Sequence, residues 1–247
     1  MKLEANVVEG VHRIEDSFTN WYLVEDGDAI TVVDTGVPSS WESLDQALTQ
    51  LGRRRDQIKA VVLTHAHFDH LGFAERARQE LGVPVWVHEN DVPLTRHPQQ
   101  YAHERPRAFY VATQPKALPI VASFLRERAF WPSPVQKVER YTDGTLPVPG
   151  SPEVVFTPGH TLGHCSMHLA DRDAVIVGDA LVTMNPYRGT TGAQIVSGAA
   201  TADSERNLAA LDALVDTGVQ TLLTGHGPAW RDGAESAVQA ARAAGPS

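Results

Sequence analysis

Short apolar runs separated by polar residues open the chain. Residues 11–14, 21–24 and 30–33 are rich in β-branched and aromatic side chains, which favour strands. Acidic residues and glycine fill the gap at 25–28, as is typical of a tight turn. The pattern predicts an antiparallel meander at the start of the fold.

After the meander, helical and strand patterns alternate. Apolar residues recur at helical spacing from about 39 to 51, and a second helix is predicted over 71–81. Each is followed at once by glycine, which commonly ends helices. Apolar runs at 59–63 and 83–87 predict strands that flank the second helix.

The second half of the chain repeats this alternation. Strands are predicted at 138–141, 154–156, 166–169, 174–177 and 220–223, and helices at 203–215 and 234–244. Elements that alternate in this way form layers, with helices covering the outer faces of sheets. We therefore expect an α/β fold in which helices flank two sheets.

The stretch from about 89 to 134 departs from the alternation. Seven prolines interrupt helix-like pieces that carry several aromatic side chains. The stretch is too apolar for a free linker and too broken for a sheet. We expect one domain, residues 1–247, with a helical insertion here. It either forms a lid over a functional site or packs as a satellite against the core.

Composition and charge limit the kinds of partner that this chain is expected to bind. The formal net charge is -9 at pH 7, which argues against a general nucleic-acid binder. The single cysteine, Cys165, cannot form an internal disulfide. There is no apolar run of about 18 residues and no secretory h-region at the start. We expect a cytoplasmic protein that acts on a small molecule, without nucleic acid or membrane as a partner.

Ionisable residues cluster directly after the predicted strand at 59–63. Three imidazoles and a carboxylate occur within six positions, as His65, His67, Asp69 and His70. If the backbone stays extended, His65, His67 and Asp69 share one face while His70 points elsewhere. Such density is difficult to explain without a metal, and the spacing suggests two adjacent metal positions.

Three further strands end in a potential ligand beside glycine. These are His160, Asp179 and His226. With the earlier cluster they give five histidines and two aspartates, a donor set that suits two zinc-type sites. His164 lies near His160, where either a role beside the ligands or an ordinary polar strand position is open.

The stretch 65–70 has the form H-x-H-x-D-H, and the chain thereby resembles the metallo-β-lactamase-fold hydrolase superfamily. The resemblance runs in order from the Asp-Thr-Gly at 34–36 to His226 and implies a four-layer αβ/βα sandwich of two mixed sheets flanked by helices. It implies a first metal on His65, His67 and His160, a second on Asp69, His70 and His226, and Asp179 as the bridge.

The resemblance also implies a mechanism. Two divalent metal ions, for which we expect Zn²⁺ with iron or manganese as alternatives, would share a hydroxide that attacks a substrate carbonyl. Asp69 would also be catalytic by orienting this nucleophile and relaying its proton. Tyr187, which follows the bridging aspartate, either donates a hydrogen bond to the carbonyl oxygen, as in related lactonases, or packs within its loop.

Departures from family patterns indicate which branch of the superfamily the chain resembles. Typical β-lactamases of this fold lack the bridging aspartate that Asp179 matches, so the chain looks like the lactonase and thioesterase branch. We expect hydrolysis of a small ester, lactone or thioester, with selectivity set by the insertion and by the loop at 185–197. A mononuclear iron thiol or persulfide dioxygenase and a phosphodiesterase remain alternatives, as does a non-catalytic binding protein. Monomer and homodimer are both open.

Overall fold

Seven strands form the larger sheet and lie in it in sequence order. The computed structural model describes residues 1–247 apart from the side chains of Ala108 and Val111. The strands are β1 (Lys2–Val8), β2 (Val11–Asp16), β3 (Thr19–Asp26), β4 (Ala29–Val33), β5 (Ile58–Val62), β6 (Val85–His88) and β7 (Glu139–Tyr141). Strands β1 to β4 pair antiparallel, and β4 to β7 pair parallel. The sheet is therefore mixed, as expected.

The smaller sheet has four strands in the order β13, β10, β9, β8. Their bounds are β8 (Glu153–Phe156), β9 (Cys165–Leu169), β10 (Ala174–Gly178) and β13 (Thr221–Thr224). The pair β10 and β13 is parallel, and the other pairs are antiparallel. A separate antiparallel pair, β11 (Val182–Met184) and β12 (Thr191–Gln194), lies between β10 and β13 in the chain.

Helices occupy the connections. They are α1 (Ser40–Gln50), α2 (Ala74–Glu80), α3 (Val92–Arg96), α4 (Arg107–Thr113), α5 (Leu118–Arg126), α6 (Ser204–Ala210), α7 (Asp212–Val215) and α8 (Ala234–Ala244). Short 3-10 turns occur at Arg55–Gln57, Glu89–Asp91, Pro115–Ala117 and Ala170–Arg172. Among the described residues, no helix combines the length and apolar character needed to cross a membrane.

Alternate side chains of the strands enter different layers of the core. On β3, Trp21 faces the outer helices, where its ring meets Phe73 edge-on at 5.4 Å between centroids. Its neighbour Tyr22 faces the smaller sheet and packs in the same cluster as Met167. The outer face of the smaller sheet is covered by α6 to α8 through residues such as Leu211, Leu214 and Val238. The result is the expected sandwich of four layers.

Several element bounds differ from the sequence pattern. Helix α2 begins at Ala74 rather than 71, and before it the N–H of Gly72 donates to the carbonyl of Gly36 at 2.9 Å, outside the helix. The helix expected at 203–215 is divided at Leu211 into α6 and α7. Strand β12 lies within the expected 185–197 loop.

The connection between β6 and β7 contains α3, α4 and α5 and covers the histidine cluster. Phe68, inside that cluster, packs against Phe124 and Phe130 of the connection at 5.8 and 5.0 Å between ring centroids. Phe109 and Trp131, in contrast, are 52% and 63% exposed. The aromatic residues of this segment thus divide between a buried cluster over the site and an exposed surface.

Candidate metal centre

The histidine cluster leaves the larger sheet at the end of β5. The backbone turns at residues 68–70, where the N–H of His70 donates to the carbonyl of His67 at 3.0 Å. The strand-like alternation therefore stops at His67. Asp69 lies with His70 rather than with His65, so the expectation of a shared face for His65, His67 and Asp69 was wrong.

The smaller sheet supplies the other three side chains. His160 lies in the loop after β8, Asp179 directly follows β10, and His226 follows β13. The structure brings all seven candidate residues together in the interior. Their exposed fractions are 0% for His65, His70 and His160, 1% for His226, 2% for His67, 3% for Asp179 and 6% for Asp69.

Three sets of three possible donors have their ligand atoms no more than 4.8 Å apart, and one of them, Asp34, His65 and His70, includes a carboxylate that lies 3.0 Å from His70 Nδ1. The other two sets share no residue. The first group is His65, His67 and His160, and the second is Asp69, His70 and His226. One oxygen of Asp179, Oδ2, lies 3.4 Å from His160 Nε2 and 3.3 Å from His226 Nε2. This carboxylate therefore stands between the two groups.

Several of these buried atoms lack a hydrogen-bond partner. They are the Nε2 atoms of His65, His67, His70 and His160 and the Oδ1 atom of Asp179. Unpaired buried polar atoms are costly, and several converging on one point indicate a missing ligand. Bonds of about 2.0–2.1 Å to a tetrahedral ion place two ligand atoms about 3.3 Å apart. The observed separations fit divalent ions.

The protonation states of the two groups differ. Burial lowers the pKa of His65 and His67 well below the ordinary range and that of His160 to about 4, so these imidazoles are neutral at pH 7. Burial acts in the same direction on His70, but nearby carboxylates outweigh it and raise its pKa to about 10. The second group therefore favours a positive charge, which a cation would supply.

Residues 14–226 match the family model described as Metallo-beta-lactamase superfamily. The chain belongs to this superfamily. A relative named "Probable metallo-hydrolase YflN", from Bacillus subtilis (strain 168), is 29% identical over 89% of this chain and 84% of its own length.

Two solved structures extend the comparison. The metallo-beta-lactamase family protein TTHA1429 from Thermus thermophilus is 25% identical, with a TM-score of 0.67 over 94% of this chain and 78% of that one. TTHA1623, solved in a di-iron-bound form, is 26% identical, with a TM-score of 0.62 over 91% and 95%. Family membership, the metallo-hydrolase relative and the donor groups together support a metal-dependent hydrolase.

Partners on the far side of the imidazole rings fix the direction of the donors. Asp34 accepts hydrogen bonds from the backbone N–H and hydroxyl of Thr64, both at 2.8 Å, and lies 3.0 Å from His70 Nδ1. His226 Nδ1 lies 2.8 Å from the carbonyl oxygen of Phe18. With Nδ1 engaged, the Nε2 atom of each ring is directed to the centre, as is common in metal sites.

His164 acts on the backbone of the bridging residue. Its Nε2 accepts a hydrogen bond from the N–H of Asp179 at 3.1 Å, and its Nδ1 lies 2.9 Å from the hydroxyl of Thr157. Of the two roles left open by the sequence, the structure favours positioning of the site. Its neighbour Cys165 is buried, and burial raises the pKa of the thiol, so it is not an activated nucleophile.

Asp91 is a residue of this site that sequence reasoning missed. It is fully buried at the start of the insertion, and burial raises its pKa to about 6. Its carboxylate accepts hydrogen bonds from Ala66 N–H at 3.0 Å, the Thr161 hydroxyl at 2.8 Å and Gly163 N–H at 2.9 Å. Asp91 thereby joins the loop of the histidine motif to the loop of His160.

Two tyrosines cover the centre. The ring of Tyr101 packs on His67 with 4.1 Å between centroids, and its hydroxyl lies 3.3 Å from that of Tyr187. The guanidinium carbon of Arg107 lies over the Tyr101 ring, 4.3 Å from its centroid. Tyr187 was among the sequence candidates, whereas Tyr101 and Arg107 lie in the insertion and carried no motif.

Proposed function

We propose that this chain is a dinuclear metal hydrolase that cleaves a small ester, lactone or thioester. The observation that carries the proposal is the position of Asp179 between two groups of three donors. His65, His67 and His160 would hold the first ion, and Asp69, His70 and His226 the second, with the Asp179 carboxylate shared between them.

The donor chemistry favours zinc, since imidazole and carboxylate ligands in sets of this size suit Zn²⁺. Iron is the principal alternative, because the similar protein TTHA1623 was solved with two irons bound. When bound, such ions lower the pKa of a coordinated water toward neutrality and polarise a carbonyl oxygen.

Asp69 is placed to move the proton of the nucleophile. Its Oδ2 lies 3.5 Å from His226 Nε2, and it is the most exposed of the seven candidates. In the metal-free protein, burial raises the pKa of Asp69 above its ordinary value. The carboxylate can accept the proton of the attacking water and return it to the leaving group.

Tyr187 is suited to binding the carbonyl oxygen. Burial raises the pKa of its phenol well above the ordinary value, so the hydroxyl keeps its proton at pH 7 and remains a donor. Its only side-chain partner among the described residues is the Tyr101 hydroxyl at a long 3.3 Å, which leaves it available to a substrate. The negative charge that develops on that oxygen would strengthen the hydrogen bond.

The proposal is tested by metal analysis combined with a panel of esters, lactones, thioesters, phosphodiesters and β-lactams. We expect two ions per chain, turnover of a carbonyl substrate, and loss of both an ion and turnover in Asp179→Ala. Asp216→Ala, which changes an exposed aspartate that belongs to neither donor group, is the control. Protein without metal, or unchanged turnover in Asp179→Ala, would refute the proposal. Oxygen uptake with a thiol would favour the dioxygenase instead.

A further inference from the structure

A positively charged side chain, that of Arg107, lies beside the two tyrosines that cover the centre, Tyr101 and Tyr187. Arg107 begins α4 and is half-buried, with its guanidinium carbon 4.3 Å from the centroid of the Tyr101 ring. Tyr101 packs on His67 and contacts the Tyr187 hydroxyl. Arg107 and the candidate metal ligand His67 therefore both lie against the Tyr101 ring.

Arg107 is unpaired among the described residues. Its Nε atom is buried without a hydrogen-bond partner, and it takes part in no ion pair with a described carboxylate. Other partly buried arginines of this chain are paired, such as Arg53 with Glu25 at 2.6 Å and Arg78 with Glu75 at 2.7 Å. The chain has 30 acidic residues, so the missing partner does not reflect a shortage of carboxylates.

A buried donor without a partner is unfavourable, and stacking on an aromatic ring compensates only part of that cost. The guanidinium group has a planar fork of N–H donors that matches a carboxylate better than any other side chain does. The positive charge of Arg107 also acts on both tyrosines: burial raises the pKa of Tyr101 and Tyr187, and Arg107 opposes both rises.

We propose that Arg107 binds a carboxylate of the substrate, beside the Tyr101 ring and remote from the reacting carbonyl. This rests on the proposed hydrolase function and specifies its substrate class: esters, lactones or thioesters whose acyl chain carries a remote carboxylate.

The test compares two activated esters with the same leaving group and the same number of acyl carbons. Mono-4-nitrophenyl glutarate carries the remote carboxylate, and 4-nitrophenyl valerate lacks it. In Arg107→Met we expect kcat/KM for the glutarate ester to fall by about 10- to 100-fold, mainly through KM, as for a lost charge-assisted hydrogen bond. The valerate ester should change less than about threefold, and Arg107→Lys should recover part of the loss.

Arg105→Met is the matched control, since it removes the same charge from an exposed position two residues away. It should leave both esters unchanged. If Arg107→Met lowers both esters equally, Arg107 only packs the cover and the inference is wrong. An unchanged glutarate ester would overturn it as well.

Binding separates this inference from the proposed function. Failure of the wild-type protein to hydrolyse either ester would count against the hydrolase assignment. Calorimetric titration with glutarate needs no turnover, so it tests the inference even in that case. We expect the wild-type protein and Arg105→Met to bind glutarate equally, and Arg107→Met to bind it at least 10-fold more weakly. Absent binding by the wild-type protein, or equal binding by all three, would overturn the inference.

Discussion

Removing the Asp91 carboxylate should loosen both loops that carry the first donor group. One loop contains His65 and His67, and the other contains His160. Asp91 is the only described side chain whose carboxylate joins them, through three hydrogen bonds of 2.8–3.0 Å from Ala66, Thr161 and Gly163. We therefore expect substitutions here to weaken both the fold and the binding of the first ion.

The magnitudes follow from the donors left unpaired. In Asp91→Ala, three buried donors lose a charged acceptor, which costs about 3–5 kcal/mol of unfolding free energy after partial relaxation. In Asp91→Asn, one side-chain oxygen is replaced by NH₂, so either Ala66 N–H or Gly163 N–H faces a donor whichever way the amide is turned. The cost of that single mismatch is about 1–3 kcal/mol. Metal affinity should fall by about 10- to 100-fold, as for other groups that orient ligands.

Two measurements check this prediction. Denaturant unfolding of the metal-free protein gives the stability change, and competition with a chelator gives the affinity for the first zinc equivalent. Asp28→Asn is the control, because the Asp28 side chain is 99% exposed. If Asp91→Ala and Asp91→Asn bind zinc as tightly as the wild-type protein, the carboxylate does not hold the donor loops and the reasoning fails.

Three other perturbations test the pH response, the packing of the centre and the role of the phenol. Burial raises the pKa of Asp91 to about 6, so its contribution to stability is present below about pH 4 and is lost as pH rises through 6. The difference in unfolding free energy between the wild-type protein and Asp91→Asn should therefore fall by about 2–3 kcal/mol over that window. An equal pH slope in both proteins would contradict this. A Cβ at Gly225 would overlap with Asp179 Oδ1, so Gly225→Ala should lose bound metal, whereas the control Gly198→Ala should keep it. Full metal content in Gly225→Ala would refute this prediction. Tyr187→Phe should lower kcat about 10-fold or more while the metal content stays unchanged. If kcat is unchanged, Tyr187 only packs within its loop.

The candidate donors could be predicted from sequence because each follows a strand and belongs to a residue type that ligates metals. His160 and Asp179 needed no knowledge of the fold beyond the strand before them. The grouping of Asp69 could not be predicted from alternation, since a turn at 68–70 interrupts the strand pattern there. In the same way β1 escaped notice, because its register shifts between Glu4 and Val8 and Asn6 adopts a positive φ.

The residues that cover or brace the site could not be predicted for a different reason. Asp91, Tyr101 and Arg107 lie in the proline-interrupted insertion, where no periodicity sets the path of the backbone. Their positions depend on tertiary packing, chiefly of Phe124 and Phe130 on Phe68. Such contacts join residues more than 50 positions apart and leave no local pattern.

The two donor groups require both sheets, so the core between the sheets is part of the site. The larger sheet contributes the histidine motif and the smaller sheet contributes His160, Asp179 and His226. The sheets are joined beside these donors by hydrogen bonds from Cys165 N–H to the Thr64 carbonyl at 2.9 Å and from the Tyr22 hydroxyl to the Thr224 carbonyl at 2.6 Å.

The insertion, in contrast, supplies none of the seven candidate donors. Its sequence can change without altering the metal centre, except at the few residues that contact it. Tyr101 is one of these, since one face of its ring packs on His67 and Arg107 lies over it as well. If the metal centre determines the reaction and Arg107 the substrate, the Tyr101 ring sets the distance between the scissile bond and the anionic end. Substrate length should therefore depend on Tyr101, while the charge requirement depends on Arg107.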